Sequence, residues 1–274
     1  METHITRFPV QHPLLKKYIR FFWELRMDYS KINHKILPQK NINLRFNLSD
    51  TPHHIINNGE EHKIEDAYFL GLHEEFNNLY LKVQGHVDVI GICFHADGFY
   101  PFIHMPVSEF KNQILGADES GFKSAVELCD KLKEINDTAK RLTLLEDELV
   151  KLLYRNRICI PENFRIISSA LMKQENRMQL SKFARETNIS IRTLERLFNM
   201  YVGMSANSYN TLLRFHNSFN QIVSCDYCRL SDLAYDNGYF DQMHFIREFK
   251  RFAGDTPKHY QKENDSILQI GKLV

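Results

Sequence analysis

Through the first hundred residues apolar and polar side chains alternate in short runs. Ile19, Phe21, Trp23, Leu25 and Met27 interleave with Arg20, Phe22, Glu24, Arg26 and Asp28. Ile42, Leu44, Phe46 and Leu48 interleave with Asn41, Asn43, Arg45 and Asn47, and Leu79, Leu81 and Val83 alternate again. A period of two is that of a β-strand. Asn57-Asn58-Gly59 is a hairpin signal. Val87 to Phe94 is a nearly continuous apolar run, which suits a strand covered on both faces. Ala96-Asp97-Gly98 then turns the chain into Phe99-Tyr100-Pro101-Phe102. Short strands at roughly ten-residue spacing predict a β sandwich or barrel.

From Ser108 the period becomes helical. Phe122, Ala125, Val126, Cys129 and Leu132 share one face, and Leu142, Leu145, Leu149, Leu152 and Leu153 share another. That leucine stripe covers under two heptads, so it serves either as a dimer seam or as a face packed on the β domain. Phe21, Phe22 and Trp23 belong to a core or line a ligand pocket. Arg155-Asn156-Arg157 marks a boundary. The expected architecture is α+β in two domains. Residues 1–155 form a β sandwich or barrel-like domain with trailing helices over about 108–155. Residues 156–274 form an all-α domain.

The second domain contains a duplication. Leu180-Ser181-Lys182-Phe183-Ala184 lies over Leu230-Ser231-Asp232-Leu233-Ala234 at an offset of 50. The offset becomes 51 after a turn, so that Leu194 meets Phe245, Arg196 meets Arg247, Phe198 meets Phe249 and Gly203 meets Gly254. A one-residue slip with register kept on both sides marks a repeated structural unit. In each copy a short helix, a polar turn and a second amphipathic helix follow one another, which describes a helix-turn-helix. The copies span about 178–199 and about 229–251. Between them, residues 207–224 carry Leu212, Leu213, Phe215, Phe219, Ile222 and Val223 at helical spacing. A helix of that length spans about 27 Å, against roughly 34 Å between successive major-groove faces of duplex DNA.

Pro161 to Lys262 resembles the DNA-binding domain of the AraC/XylS family of transcription regulators. The carrying residues are Asp232-Leu233-Ala234-Tyr235, Gly238-Tyr239-Phe240-Asp241-Gln242-Met243-His244-Phe245, Arg247-Glu248-Phe249-Lys250-Arg251 and Gly254-Asp255-Thr256-Pro257. The family has proline after the small hydroxyl residue in both modules. Pro257 keeps it, but Ala206 replaces it in the first, which is expected to loosen the start of the connecting helix. The first half resembles, less closely, the β-rich domain that precedes such a DNA-binding domain in a group of bacterial regulators. Gly91 to Phe102 and Pro106-Val107-Ser108-Glu109-Phe110 carry that likeness. The resemblance implies a sensory or oligomerising role for this half.

Net charge over the 274 residues is only +1. From Asn156 onward sixteen Lys and Arg stand against twelve Asp and Glu, net +4, and the remainder is net −3. The basic excess therefore lies in the repeat half, as phosphate neutralisation requires. Five cysteines form no framework, and Cys225-Asp226-Tyr227-Cys228 is a lone pair without two further zinc ligands. Reduced thiols, and a start without an apolar signal region, predict a cytoplasmic protein with no membrane partner. His53, His54, His73, His86, His95 and His104 contain no His-x-His pair of the kind a barrel metal site uses. No nucleophile elbow or phosphate loop appears, so no catalytic residue, metal ligand or cofactor is expected.

These observations predict a bacterial regulator that binds double-stranded DNA. Arg192, Thr193 and Arg196 are expected on base edges in one major-groove segment, and Gln242, Met243, His244 and Arg247 in the next. Ser190, Lys250 and Arg251 are expected on phosphates. Glu195 is expected either to accept from cytosine or to orient Arg192 or Arg196. RNA polymerase, a small-molecule effector and a second copy, through the first domain or the 142–153 helix, are the candidate partners. Two other readings remain at this point. One is a metal-dependent β-barrel enzyme with an appended helical partner-binding domain. The other is a helix-turn-helix pair that binds protein.

Overall fold

The computed structural model describes residues 5–76, 78–103, 105–120, 122, 124–173 and 180–262. His104 and the side chain of Phe183 lie outside the described residues. Eight strands are present: β1 (Ile5–Phe8), β2 (Ile19–Lys35), β3 (Asn43–Asn47), β4 (His54–Asn57), β5 (Glu60–Lys63), β6 (Ala67–Leu70), β7 (Leu79–Phe94) and β8 (Ile114–Gly116). They form one antiparallel sheet in the order β1-β2-β7-β3-β6-β8, with the β4–β5 hairpin attached to the first residues of β7. The hairpin turn is Asn58-Gly59, both at positive φ, as its sequence predicts.

The two apolar runs at Leu79–Val83 and Val87–Phe94 are one strand, not two. Gly85 joins them at φ 144, opposite Ser30, where the β2–β7 ladder slips between Met27 and Ser30. Such a bulge bends a strand pair. Alternation then sorts the side chains onto two buried faces. Phe22, Leu44, Phe46, Ile90, Ile92 and Phe94 join the core shared with the helices. Trp23, Leu25, Leu81, Val83, Val87 and Val89 form a second cluster on the opposite side.

The chain after Ser108 is not helical at once. A 3-10 turn at Val107–Phe110 leads into β8, which pairs with β6. Asn112, at φ 59, breaks any helix there and donates its N–H to the Leu72 carbonyl. Helices begin at α1 (Ala125–Lys133) and α2 (Thr138–Asn156). Asp137 caps α2 by accepting from Lys140 N at 2.8 Å, and Arg157 ends it in the left-handed conformation. Leu145, Leu149, Leu152 and Leu153 are all buried in the chain's own core, so the leucine stripe packs on the β domain.

Arg141, on the same face of α2, is 1% exposed. Its Nη1 and Nη2 both donate to the Asp88 carboxylate at 2.9 Å, and Nη1 also reaches Glu24 at 3.2 Å. Nε donates to the Ile135 carbonyl. One guanidinium thus ties α2 to β2 and β7.

The remaining elements are α3 (Glu162–Lys173), α4 (Leu180–Glu186), α5 (Ile191–Tyr201), α6 (Ala206–Val223), α7 (Leu230–Asp236), α8 (Gln242–Ala253) and α9 (Pro257–Lys262). They are docked on the β-rich half, and one apolar core runs through both. Tyr209 of α6 donates to the Lys40 carbonyl at 3.2 Å, and His216 Nε2 donates to the Pro38 carbonyl at 2.9 Å. Tyr201 packs edge-on against Tyr100, and Phe76 N donates to the Arg251 carbonyl at 3.0 Å. Burial, reinforced by the charge of Lys40, pushes His216 down to about 3. Burial likewise lowers His34, His53 and His73 to about 4.

Two stability predictions follow from these groups. Arg141→Ala removes the buried member of a network in which Arg26 still reaches Glu24 at 2.8 Å and Asp88 at 3.4 Å, and should cost about 1.5–3 kcal/mol, as lost hydrogen bonds to charged groups do, read as a lower urea midpoint. The four histidines are neutral when folded and titrate near the ordinary value of 6.5 when unfolded. The unfolded chain therefore binds more protons below that value, and stability present above it is lost as pH falls towards 4. Urea midpoints should drop from pH 7 to pH 4.5; a flat profile contradicts the assignment.

Candidate nucleic-acid interface

The two modules share backbone detail as well as sequence. In the first turn Asn188 takes φ 53, and in the second Gly238 takes φ 72. Ile189 N donates to the Ala184 carbonyl at 3.0 Å, and Tyr239 N to the Ala234 carbonyl at 2.9 Å. Each second helix then receives a side-chain cap. Ser190 accepts from Thr193 N at 3.1 Å, and Asp241 accepts from His244 N at 2.6 Å. The residue that shifts the offset is Phe240, inserted between Tyr239 and the Asp241 cap and 83% exposed. Gly203 and Gly254 close the modules at φ 93 and 73.

Leu194 and Phe198 of α5, and Phe245 and Phe249 of α8, are fully buried. Arg192, Arg196, Gln242, Met243, Arg247, Lys250 and Arg251 are all exposed. Among the described residues no acidic side chain pairs with Arg192, Arg196 or Arg247. A cation held out on a rigid helix with no internal partner is available to phosphate or to a guanine edge.

Three of the expected contact residues are engaged inside their modules. The Thr193 hydroxyl lies 2.9 Å from Ser190 Oγ. His244 Nδ1 accepts from Phe240 N at 3.3 Å, and its Nε2 lies 3.5 Å from Glu248. Glu248 in turn holds Arg214 of α6 at 3.1 Å. These side chains fix how α5 and α8 start.

Glu195 is engaged within the protein. Its Oε2 accepts from Ala206 N at 2.8 Å, across the gap from α5 to α6. That N–H exists because residue 206 is not proline. Ser205 completes the cap by accepting from Ser208 N at 2.9 Å. The start of α6 is therefore held by a carboxylate and not loosened. Sequence reasoning also passed over Phe240 and Ile191, the latter 50% exposed at the start of α5. The one-residue slip was the signal for Phe240.

Two family models match the chain. One described as "Helix-turn-helix domain" covers residues 183–263, from within α4 through α9. One described as "Domain of unknown function (DUF6597)" covers residues 10–116, most of the sheet. No curated protein matches. Among solved structures, ToxT from Vibrio cholerae O395 is similar at 12% identity, covering 92% of this chain and 100% of that one, with a TM-score of 0.47. A probable AraC family transcriptional regulator from Rhodopseudomonas palustris CGA009 is similar at 18% identity, covering 38% of this chain and 97% of that one, with a TM-score of 0.34. The AraC-like transcriptional activator CuxR is similar at 12% identity over 76% of this chain and 79% of that one, with a TM-score of 0.30.

The two modules are matched along their length by the helix-turn-helix family, the kind of unit that places its second helix on DNA. The matched helix-turn-helix domain follows a β-rich N-terminal half. Among the described residues no three His, Cys, Asp or Glu gather to hold a metal, and no helix is long and apolar enough to cross a membrane.

The Glu195–Ala206 contact is testable by a double-mutant cycle. Glu195→Ala should cost about 1 kcal/mol, as the loss of a helix cap does. In an Ala206→Pro background, where no N–H remains, it should cost almost nothing. Equal costs in both backgrounds would show that Glu195 does not act through that hydrogen bond.

Proposed function

We propose that α5 and α8 enter successive major-groove segments on one side of duplex DNA. The observation that carries this reading is Arg196 and Arg247, exposed at the same register of two repeated modules. Arg192 and Arg196 contact base edges in one segment. Gln242 and Arg247 contact them in the next, with Met243 against a thymine methyl group. Thr193 and His244 exchange Ser190 and Glu248 for base edges on binding. Ser190, Lys250 and Arg251 grip phosphates. The N-terminal domain senses a small effector and acts through its docking on α6 and both modules. The regulator works in the cytoplasm on RNA polymerase. A second copy pairs through the N-terminal domain, since the leucine face of α2 is already covered.

Selection from random duplex DNA by the full chain tests the reading. Two informative blocks about ten base pairs apart are expected. On the selected site, Arg196→Ala and Arg247→Ala should each cost about 1–3 kcal/mol and each blur only its own block. Equal loss on random DNA would leave these arginines a phosphate role alone. Affinity should fall steeply with salt; a flat response would point to a protein partner instead.

A further inference from the structure

The second module carries one residue that the first lacks. In the first, the apolar plug Ile189 is followed at once by the Ser190 cap. In the second, Phe240 stands between the plug Tyr239 and the Asp241 cap. An apolar residue just before a cap ordinarily folds back onto the fourth residue of its helix. For α8 that residue is Phe245. Tyr239 has taken this place: it is 3% exposed, and its ring lies 5.1 Å from that of Phe245. Phe240 is left 83% exposed, the most exposed large apolar side chain among the described residues.

Its position is nevertheless fixed. Phe240 N donates to His244 Nδ1 at 3.3 Å, and the adjoining Asp241 carboxylate accepts from His244 N at 2.6 Å. Both bonds run to His244, so the backbone at Phe240 is pinned to the first turn of α8. Met243, 64% exposed, stands at the same end of the helix. Gln242 and Arg247 are exposed on α8, as are Lys250 and Arg251 in its last turn. An apolar partner surface would bury those three cations without counter-charge, which is costly. Duplex DNA offers both what the cations need and what the rings need. Phosphates meet the charges, and thymine methyl groups line the major groove. The N-terminal residues of a recognition helix are the ones that reach base edges, and Phe240 lies at that end.

We propose that Phe240 is a specificity-determining residue of the second module, its ring covering the C5 methyl group of a thymine. The inference rests on the DNA reading given above and adds a base contact to it. The contact is apolar, so it distinguishes thymine by its methyl group alone and not by its hydrogen-bonding edge.

The test uses the full chain and the duplex it selects from random DNA. Each thymine of the second block is replaced in turn by deoxyuridine, which removes the methyl group and keeps every hydrogen-bonding atom. At one position the parent should bind about threefold to fivefold more weakly without the methyl group. Phe240→Ala should bind both forms of that position equally, at the weaker level, whereas Phe240→Leu, still apolar, should keep part of the difference. Placing 5-methylcytosine there should restore part of the affinity that cytosine loses, in the parent and not in Phe240→Ala. Since the side chain is solvated, Phe240→Ala should melt with the parent, so any loss is read on DNA and not on folding. Three results would overturn the proposal: a second block without thymine, a parent indifferent to every methyl group in it, or a methyl effect that persists undiminished in Phe240→Ala. Parent-like binding of every duplex by Phe240→Ala would overturn it too, and would assign the ring to a protein partner. In each of these cases the selected site still stands, and the Phe240 assignment fails alone. If no duplex is selected at all, the DNA reading fails and this assignment with it.

Discussion

The whole chain depends on burying both faces of the β2–β7 pair. Two strands of 17 and 16 residues cannot cover themselves. One face is closed by α1, α2 and the docked helical domain, the other by the curl of the sheet and the β4–β5 hairpin. Even residues such as Phe22 and Ile92 therefore serve cohesion between layers. Their odd neighbours, such as Trp23 and Gly91, shape an interior. Arg141 sits where these demands meet. It pins α2 to Glu24 and Asp88, polar positions on strands that are otherwise apolar.

The helical domain shows how a repeat diverges without losing its geometry. Both modules keep a left-handed turn residue, a capping side chain and a glycine at the exit, but each position is filled differently. Asn188 stands where the second module has Gly238, and Ser190 where it has Asp241. Ala206 and Pro257 divide more sharply. Proline sets the backbone covalently, whereas alanine leaves an N–H that Glu195 takes up. The same start is thus reached by two kinds of constraint.

Much of this was legible in the chain. Alternation marked the strands, the Asn58-Gly59 turn marked its hairpin, and the 50-then-51 offset marked both helix-turn-helix modules and the inserted residue. The connecting helix, expected over 207–224, runs from Ala206 to Val223. What periodicity missed was decided by contacts far apart in sequence. Residues 108–116 look helical locally, but Asn112 binds Leu72 and the segment that follows is captured by the edge of the sheet. The hydrogen-bond partner of Glu195 lies eleven positions away across a turn, where no local pattern announces it.

The shared core also changes what a domain boundary means here. Residue 156 divides the chain by composition and by helix ends, but not by surface. A fragment starting there would bring into water the edge of Tyr201 that meets Tyr100, the hydroxyl of Tyr209 and the ring of His216, which the N-terminal half now covers. Gly203, whose missing side chain lets Val107 approach, would lose that neighbour and keep only the positive φ that closes its module. The two halves are distinct in sequence but share one apolar core, so shortening the protein uncovers a face of the very helices it is meant to isolate.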